Sequence, residues 1–124
     1  MLESSDLVAF VAATDLPRAR AFYEQTLGLR VLEHSDFAVV VDANGTTLRV
    51  TAVGQVACTG YTVLGWRVSD IVSSVRDLAA KGVTFLRYDG MSQDDDGIWT
   101  TPAGDKVAWF ADPDGNTLSL TQGV

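Results

Sequence analysis

Asp42-Ala43-Asn44-Gly45-Thr46-Thr47-Leu48-Arg49-Val50, near mid-chain, reappears as Asp112-Pro113-Asp114-Gly115-Asn116-Thr117-Leu118-Ser119-Leu120 near the end. Each copy reads as a tight Gly turn running into an alternating apolar strand. Each also lies downstream of an apolar strand that ends at an acidic residue opening a helix: Leu7–Ala13 before Asp15, and Thr62–Val68 before Asp70. The chain is one strand–helix–strands unit used twice, and duplicated units make a pocket at their junction.

Working outward, Leu7–Ala13 is a nearly continuous apolar run, the pattern of a strand covered on both faces. Thr14 or Asp15 caps a helix with Leu16, Ala19, Phe22, Tyr23 and Leu27 at helical spacing. Pro17 suits its first turn and Gly28 its stop. Strands are predicted at Arg30–Glu33, Phe37–Val41 and Thr46–Val53, with Asn44-Gly45 as a hairpin turn. The small residues from Gly54 to Gly60 link the two halves. A second helix opens at Asp70, with Ile71, Val75, Leu78 and Ala79 on one face, and stops at Gly82. Strands at Val83–Tyr88, Gly97–Thr101, Lys106–Phe110 and Asn116–Thr121 complete the second half. The expectation is a single domain over residues 1–124, α+β, with βαβββ modules at about 5–54 and 60–122.

Composition narrows the function. A hydrophobic share of 47% and a charged share of 20% are those of an ordinary globular protein. The net charge of −7 argues against nucleic acid or an anionic membrane surface as a partner. The apolar run Leu7–Ala13 is too short to span a bilayer, and the first six residues lack the features of a signal peptide. Cys58 is alone, which excludes an intrachain disulfide and fits a reducing cytoplasm.

The order β-α-β-β-β used twice, with these residues, resembles the vicinal oxygen chelate superfamily of glyoxalase I, extradiol dioxygenases, fosfomycin resistance enzymes and bleomycin resistance proteins. Three stretches carry the resemblance: Asp15-Leu16 through Phe22-Tyr23 to Leu27-Gly28; Val63–Val68 running into Asp70; and Val107-Ala108-Trp109-Phe110-Ala111-Asp112-Pro113-Asp114-Gly115-Asn116. It covers essentially the whole chain. The resemblance implies two modules whose curled sheets form a cup, commonly completed in a homodimer.

It also implies a divalent metal held by His and Glu side chains in the cup. Carried over by position, the four ligand sites fall at Val8, Arg49, Val63 and Ser119. None has metal-binding chemistry, and Arg49 would repel a cation. The whole chain has one His and no Glu beyond Glu33, so a His/Glu site of that kind cannot be assembled. No metal and no other cofactor are expected. Side chains alternate across a strand. The positions in phase with the lost ligands are therefore Val8, Phe10 and Ala12; Thr47, Arg49 and Thr51; Val63, Gly65 and Arg67; Thr117, Ser119 and Thr121. The family's phase adds Val107 and Trp109. The lining is apolar and aromatic with hydroxyls and two guanidiniums, a small-molecule pocket with a few orienting polar groups. The residues expected to bind ligand are Phe10, Arg49, Val63, Arg67, Trp109 and Ser119. On the competing reading Arg49 and Arg67 pair with protein carboxylates and Trp109 is core.

Other residues carry less. His34 has the intrinsic pKa of a general base but follows a strand end, as a solvated loop His would. Cys58 has no basic neighbour to activate it. Asp94-Asp95-Asp96 could hold a cation or gate the cup, or simply be a solvated acidic loop. Asp112-Pro113-Asp114-Gly115 lacks the third carboxylate and the downstream Glu of a calcium loop and reads as a turn. Tyr61, Tyr88 and Trp99 suit a rim or interface, whereas Trp66 is out of phase with Arg67 and packs beneath a helix. Two functions follow: a metal-independent binding protein sequestering a small aromatic or acidic metabolite or antibiotic, or a lyase, isomerase or dioxygenase-like enzyme on the same scaffold. The enzyme would need a titratable base in phase with the cup, where only arginines and hydroxyls stand.

Overall fold

A computed structural model describes all 124 residues, Met1–Val124. Contacts divide the chain into two compact units, Met1–Ala57 and Cys58–Val124, the break falling among the small residues between Gly54 and Gly60. No helix is long and apolar enough to cross a membrane.

In the first unit a single 3₁₀ turn, Leu2–Ser4, precedes strand β1 (Val8–Ala13). Helix α1 (Leu16–Arg20) follows and widens into a π-helical stretch, Ala21–Thr26. Strands β2 (Arg30–His34), β3 (Ala38–Ala43) and β4 (Thr46–Ala52) complete it. The sheet order is β1-β4-β3-β2, with β1 parallel to β4 and the other pairs antiparallel. The second unit repeats the scheme with β5 (Leu64–Arg67), α2 (Ile71–Ala80), β6 (Trp99–Thr100), β7 (Lys106–Ala111) and β8 (Thr117–Gln122), in the order β5-β8-β7-β6. A parallel pair between the first and last strands needs a crossover, which the helix supplies in each unit.

The duplication extends to single atoms. Asp15, and not Thr14, caps α1, its Oδ1 accepting from Arg18 N–H at 3.0 Å. Asp70 caps α2 in the same way through Ser73 N–H at 3.2 Å, with backbone angles within a few degrees of those at Asp15. Gln122 Oε1 accepts a further α2 donor, the Ile71 N–H, at 2.8 Å. The paired leucines Leu48 and Leu118 are fully buried at the centres of β4 and β8. Leu48 and Val50 lie beneath α1 with Val11, Val39, Val41 and the Leu16–Ala19–Tyr23 stripe. Leu118, Leu120, Ala108 and Phe110 form the corresponding layer under Ile71 and Val75. Each such aliphatic side chain contributes about 1.5–3 kcal/mol by leaving water.

Five expectations are corrected. Leu7–Ala13 is not covered on both faces: Val11 and Ala13 are buried, but Val8 and Phe10 are 42% and 61% exposed. An all-apolar strand resembles a doubly covered one because Phe10 and Val8 give the open face no polar mark. The first helix does not stay α. The Leu27 N–H bonds to Phe22 O at 2.9 Å, five residues back, and this wider turn leaves Phe22 and Leu27 only half-buried. His34 belongs to β2 rather than to the loop after it.

Val83–Tyr88 is not a strand. Its backbone meets the sheet through an isolated Phe85–Phe110 bridge and a Leu86 N–H to Trp109 O bond of 2.7 Å. The Gln93 side chain takes over the missing ladder. Its Oε1 accepts from Tyr88 N–H at 2.8 Å, and its Nε2 donates to Leu86 O at 3.0 Å and Gly97 O at 2.8 Å. The predicted Gly97–Thr101 strand shortens to β6.

The two Gly turns differ in how they are held. Asn44 and Gly45 both have positive φ, 51° and 92°, the requirement of a two-residue hairpin turn closed by the Ala43–Thr46 pair. There Asp42 Oδ1 accepts one bond, from Gly45 N–H at 2.9 Å. In the second turn the buried Asp112 carboxylate accepts from Asp114 N–H (3.0 Å), Asn116 N–H (2.9 Å) and Asn116 Nδ2 (2.8 Å). Asp112→Ala strands buried donors and is expected to lower folding stability by about 3 kcal/mol, against about 1 kcal/mol for Asp42→Ala. Urea denaturation of both variants tests this, and equal losses would show that the buried carboxylate network contributes nothing extra.

Candidate functional site

In the first unit the register sets Phe10 beside Arg49 and Arg49 beside Val40 across β1, β4 and β3. The next row is Ala12–Thr51–Ala38, and the row on the other side is Val8–Thr47–Asp42. Since Leu48 and Val50 face α1, Arg49 and Thr51 emerge on the opposite face with Phe10. Arg49 is half-buried, yet it has neither an ion pair nor a hydrogen bond. Asp42, the acidic residue in the adjoining row, is engaged by Arg30 at 3.8 Å instead. A hollow of about 330 Å³ opens on this face, lined by Phe10, Val11, Ala12 and Thr51. The Thr51 hydroxyl is hidden from solvent and has no hydrogen-bond partner. This face of the first unit therefore holds an aromatic ring, an unpaired cation and an unpaired hydroxyl.

In the second unit Gly65, Ser119 and Trp109 form one row across β5, β8 and β7, and Arg67, Thr121 and Val107 form the next. Val63 precedes β5, holds to Thr117 O through its N–H at 2.9 Å and is 40% exposed. Ser119 is buried. A Cβ on Gly65 would stand 2.8 Å from Ser119 Oγ, so the glycine is what admits the serine at this crossing. Trp109 lies edge-to-face with Tyr88 (centroids 5.3 Å apart, planes at 86°) and stacks on Trp99 at 6.2 Å and 30°. A hollow of about 380 Å³ beside it is lined by Gly60, Tyr61, Thr62, Tyr88, Met91 and Trp109. Arg67 is exposed and, like Arg49, unpaired.

The sequence-predicted residues thus gather in two groups: Phe10 with Arg49 on one face, and Trp109, Ser119, Val63 and Arg67 around Gly65 on the other. Thr51 was visible in the sequence only as a position in phase. Tyr88 and Met91 reach Trp109 because the Gln93 amide shapes the preceding segment, which no periodicity announces. The competing reading, that both arginines are tied to carboxylates, does not describe either one.

The metal that the resemblance implies does not fit. Val8 and Val63 offer alkyl groups, Arg49 a cation, and Ser119 a neutral hydroxyl. No three His, Cys, Asp or Glu side chains are grouped to hold an ion anywhere in the chain. His34 does not supply a base either. Its Nδ1 lies 3.1 Å from Arg20 Nη1, and a guanidinium only donates, so Nδ1 is the acceptor of that contact. Arg20 is itself held by Glu24 at 3.3 Å. The Asp94–Asp96 loop is internally tied rather than free: Asp94 Oδ1 accepts from Asp96 N–H and Ile98 N–H, both at 2.9 Å, and Arg76 pairs with Asp96 at 3.2 Å. Arg87 Nη2 bonds the Asp94 and Asp95 carbonyls at 2.7 and 2.8 Å.

Whole-chain likenesses among solved structures are consistent and distant in sequence. A glyoxalase family protein from Bacillus anthracis superposes with a TM-score of 0.75 at 15% identity, covering 98% of this chain and 96% of that one. Lactoylglutathione lyase from Agrobacterium tumefaciens gives 0.73 at 16% identity, covering 97% and 94%. TioX from Micromonospora sp. ML1 gives 0.74 at 22% identity, covering 98% and 100%. At these identities the likeness is one of fold. No curated protein matches the sequence. The family model for the Glyoxalase/Bleomycin resistance protein/Dioxygenase superfamily matches residues 6–120, nearly the full length, and the chain belongs to that superfamily.

Proposed function

We propose that this protein is a metal-independent binder that sequesters a small aromatic acid, a metabolite or an antibiotic. The observation that carries the reading is Arg49, a half-buried guanidinium with no protein partner, set beside the exposed ring of Phe10. A buried charge is costly unless paired, and Arg cannot shed its proton. An anion brought by a ligand relieves that cost, and the planar fork of Arg matches carboxylate. The second unit offers the same pairing of chemistries, with Trp109, Tyr88 and Tyr61 as flat apolar surface and Arg67 as cation. Val63 and Ser119 add apolar and hydroxyl contacts there.

The enzymatic alternative, a lyase, isomerase or dioxygenase-like activity, lacks support from the side chains present. Proton abstraction needs a base within reach of the substrate. On the Arg49 face the carboxylates are Asp42, held by Arg30, and Glu33, exposed on the edge strand β2 across from Val40; neither is a register neighbour of Phe10 or Thr51. We further propose that the chain works as a homodimer, since Val8, Phe10, Leu32 and Phe37 leave much apolar area exposed.

Three outcomes are expected. Calorimetric titration should detect 2-naphthoate binding, and Arg49→Ala should weaken that binding by about 1.5–3 kcal/mol while leaving unfolding midpoints unchanged. The opposite pattern, unchanged affinity with reduced stability, would make Arg49 a structural residue. Protein purified without a His tag should contain no stoichiometric transition metal by elemental analysis, and one metal per chain would overturn the reading. Light scattering at micromolar concentration should give twice the 13.3 kDa chain mass, and a monomer mass would remove the dimer.

A further inference from the structure

We infer that the Thr51 hydroxyl is the second anchor for the ligand's acid group, so that Arg49 and Thr51 together specify a carboxylate on an apolar body. The inference rests on the binding function proposed for Arg49 and adds a residue that determines which ligands qualify. Its starting point is the Thr51 Oγ1 atom, buried and without a hydrogen-bond partner. Buried hydroxyls in folded proteins nearly always have a partner, and leaving one unmade costs about 1–3 kcal/mol. Thr51 stands at the sheet centre, between Ala12 of β1 and Ala38 of β3, where neither neighbour offers a polar side chain. Valine would fill the same space without that cost. A hydroxyl kept at such a position is explained by a partner that arrives from outside.

The surroundings say what that partner is. Thr51 lines the hollow with Phe10, Val11 and Ala12, so the body of the ligand is apolar. Arg49 is two residues away on the same strand and the same face, about 6.6–6.8 Å between Cα atoms. Its long side chain can meet the head of a group that also touches Thr51. A carboxylate presents two acceptor oxygens, one for the guanidinium fork and one for the threonine O–H. An amide or ester carbonyl can accept from both groups but is uncharged and has no second oxygen to match the guanidinium fork, so it answers the cation less strongly. The two unpaired groups, one cationic and one a neutral donor, are complementary to an oxyanion and to no cation.

The test compares wild type, Thr51→Val, Thr51→Ser and Arg49→Ala, with 2-naphthoate as probe. Thr51→Val should raise the melting temperature of the free protein by about 4 °C, because it removes an unpartnered buried hydroxyl. The same substitution should weaken 2-naphthoate binding about tenfold or more, and Thr51→Ser should restore most of the affinity. A merely structural threonine would not give gains in stability and losses in affinity from one change. If Arg49→Ala weakens binding and Thr51→Val does not, the second anchor is refuted and the binding function stands. A lowered melting temperature in Thr51→Val would show that the hydroxyl is already bonded and would also refute the inference. If 2-naphthoate does not bind wild type at millimolar concentration, the binding function and the second anchor fall together.

Discussion

Leu48 and Leu118 occupy the middle of the central strands, with Val50 and Leu120 beside them under the two helices. On a strand, the residue after a buried leucine must point away from the core. The side on which Arg49 and Ser119 emerge is therefore decided by the burial of the residues before them. A one-residue slip of β4 would bring the guanidinium under α1 and expose two large aliphatic side chains. The hairpin at Asn44-Gly45 and the parallel pairing with β1 hold that register from both sides. The five-residue turn closed by Asp112 does the same for β8.

What the register places at Phe10, Arg49 and Thr51 is chemically one-sided. Most acids nearby are spent locally: Asp42 on a turn and Arg30, Asp112 on its own loop, Asp94 and Asp96 on the segment before β6, while Glu33 stands exposed on β2, two strands from Arg49. The unpaired guanidiniums are left on the two open faces, in a chain whose net charge is −7. A protein of this overall charge repels anions at long range and attracts them only where an arginine stands alone. Under the proposed binding function, selectivity for an acid rests on close contact rather than on steering.

Much of this could be read from the sequence because it depends on spacing. The repeated turn, the acidic N-caps and the alternation along β4 and β8 identify the modules, the register and the phase of Phe10, Arg49, Trp109 and Ser119. Features that depend on a single side chain reaching across space were not legible. Gln93 replaces a strand ladder with its amide, and Val83–Tyr88, apolar and aromatic enough for a strand, never becomes one. Nothing in the periodicity of Ala21–Thr26 distinguishes a π turn from an α turn. The solitude of Arg49 and Thr51 was also invisible, because a sequence lists potential partners and not their distances.

The Gln93 substitution has a consequence for how the protein behaves in a crowded solution. A bare sheet edge offers a row of free N–H and C=O groups on which another chain can template a strand. Along the outer side of β7 that row is broken into a two-residue strand, a single bridge and a loop closed by side-chain amide bonds. The outer strand of the first unit is interrupted differently, by a register shift between Val31 and Glu33 and by the charges of Arg30 and Glu33. Neither β2 nor β6 presents the long, flat, uncharged ribbon from which fibrillar assembly grows. A chain nearly half hydrophobic, with an open sheet face, thereby closes two of its four sheet edges to strand addition.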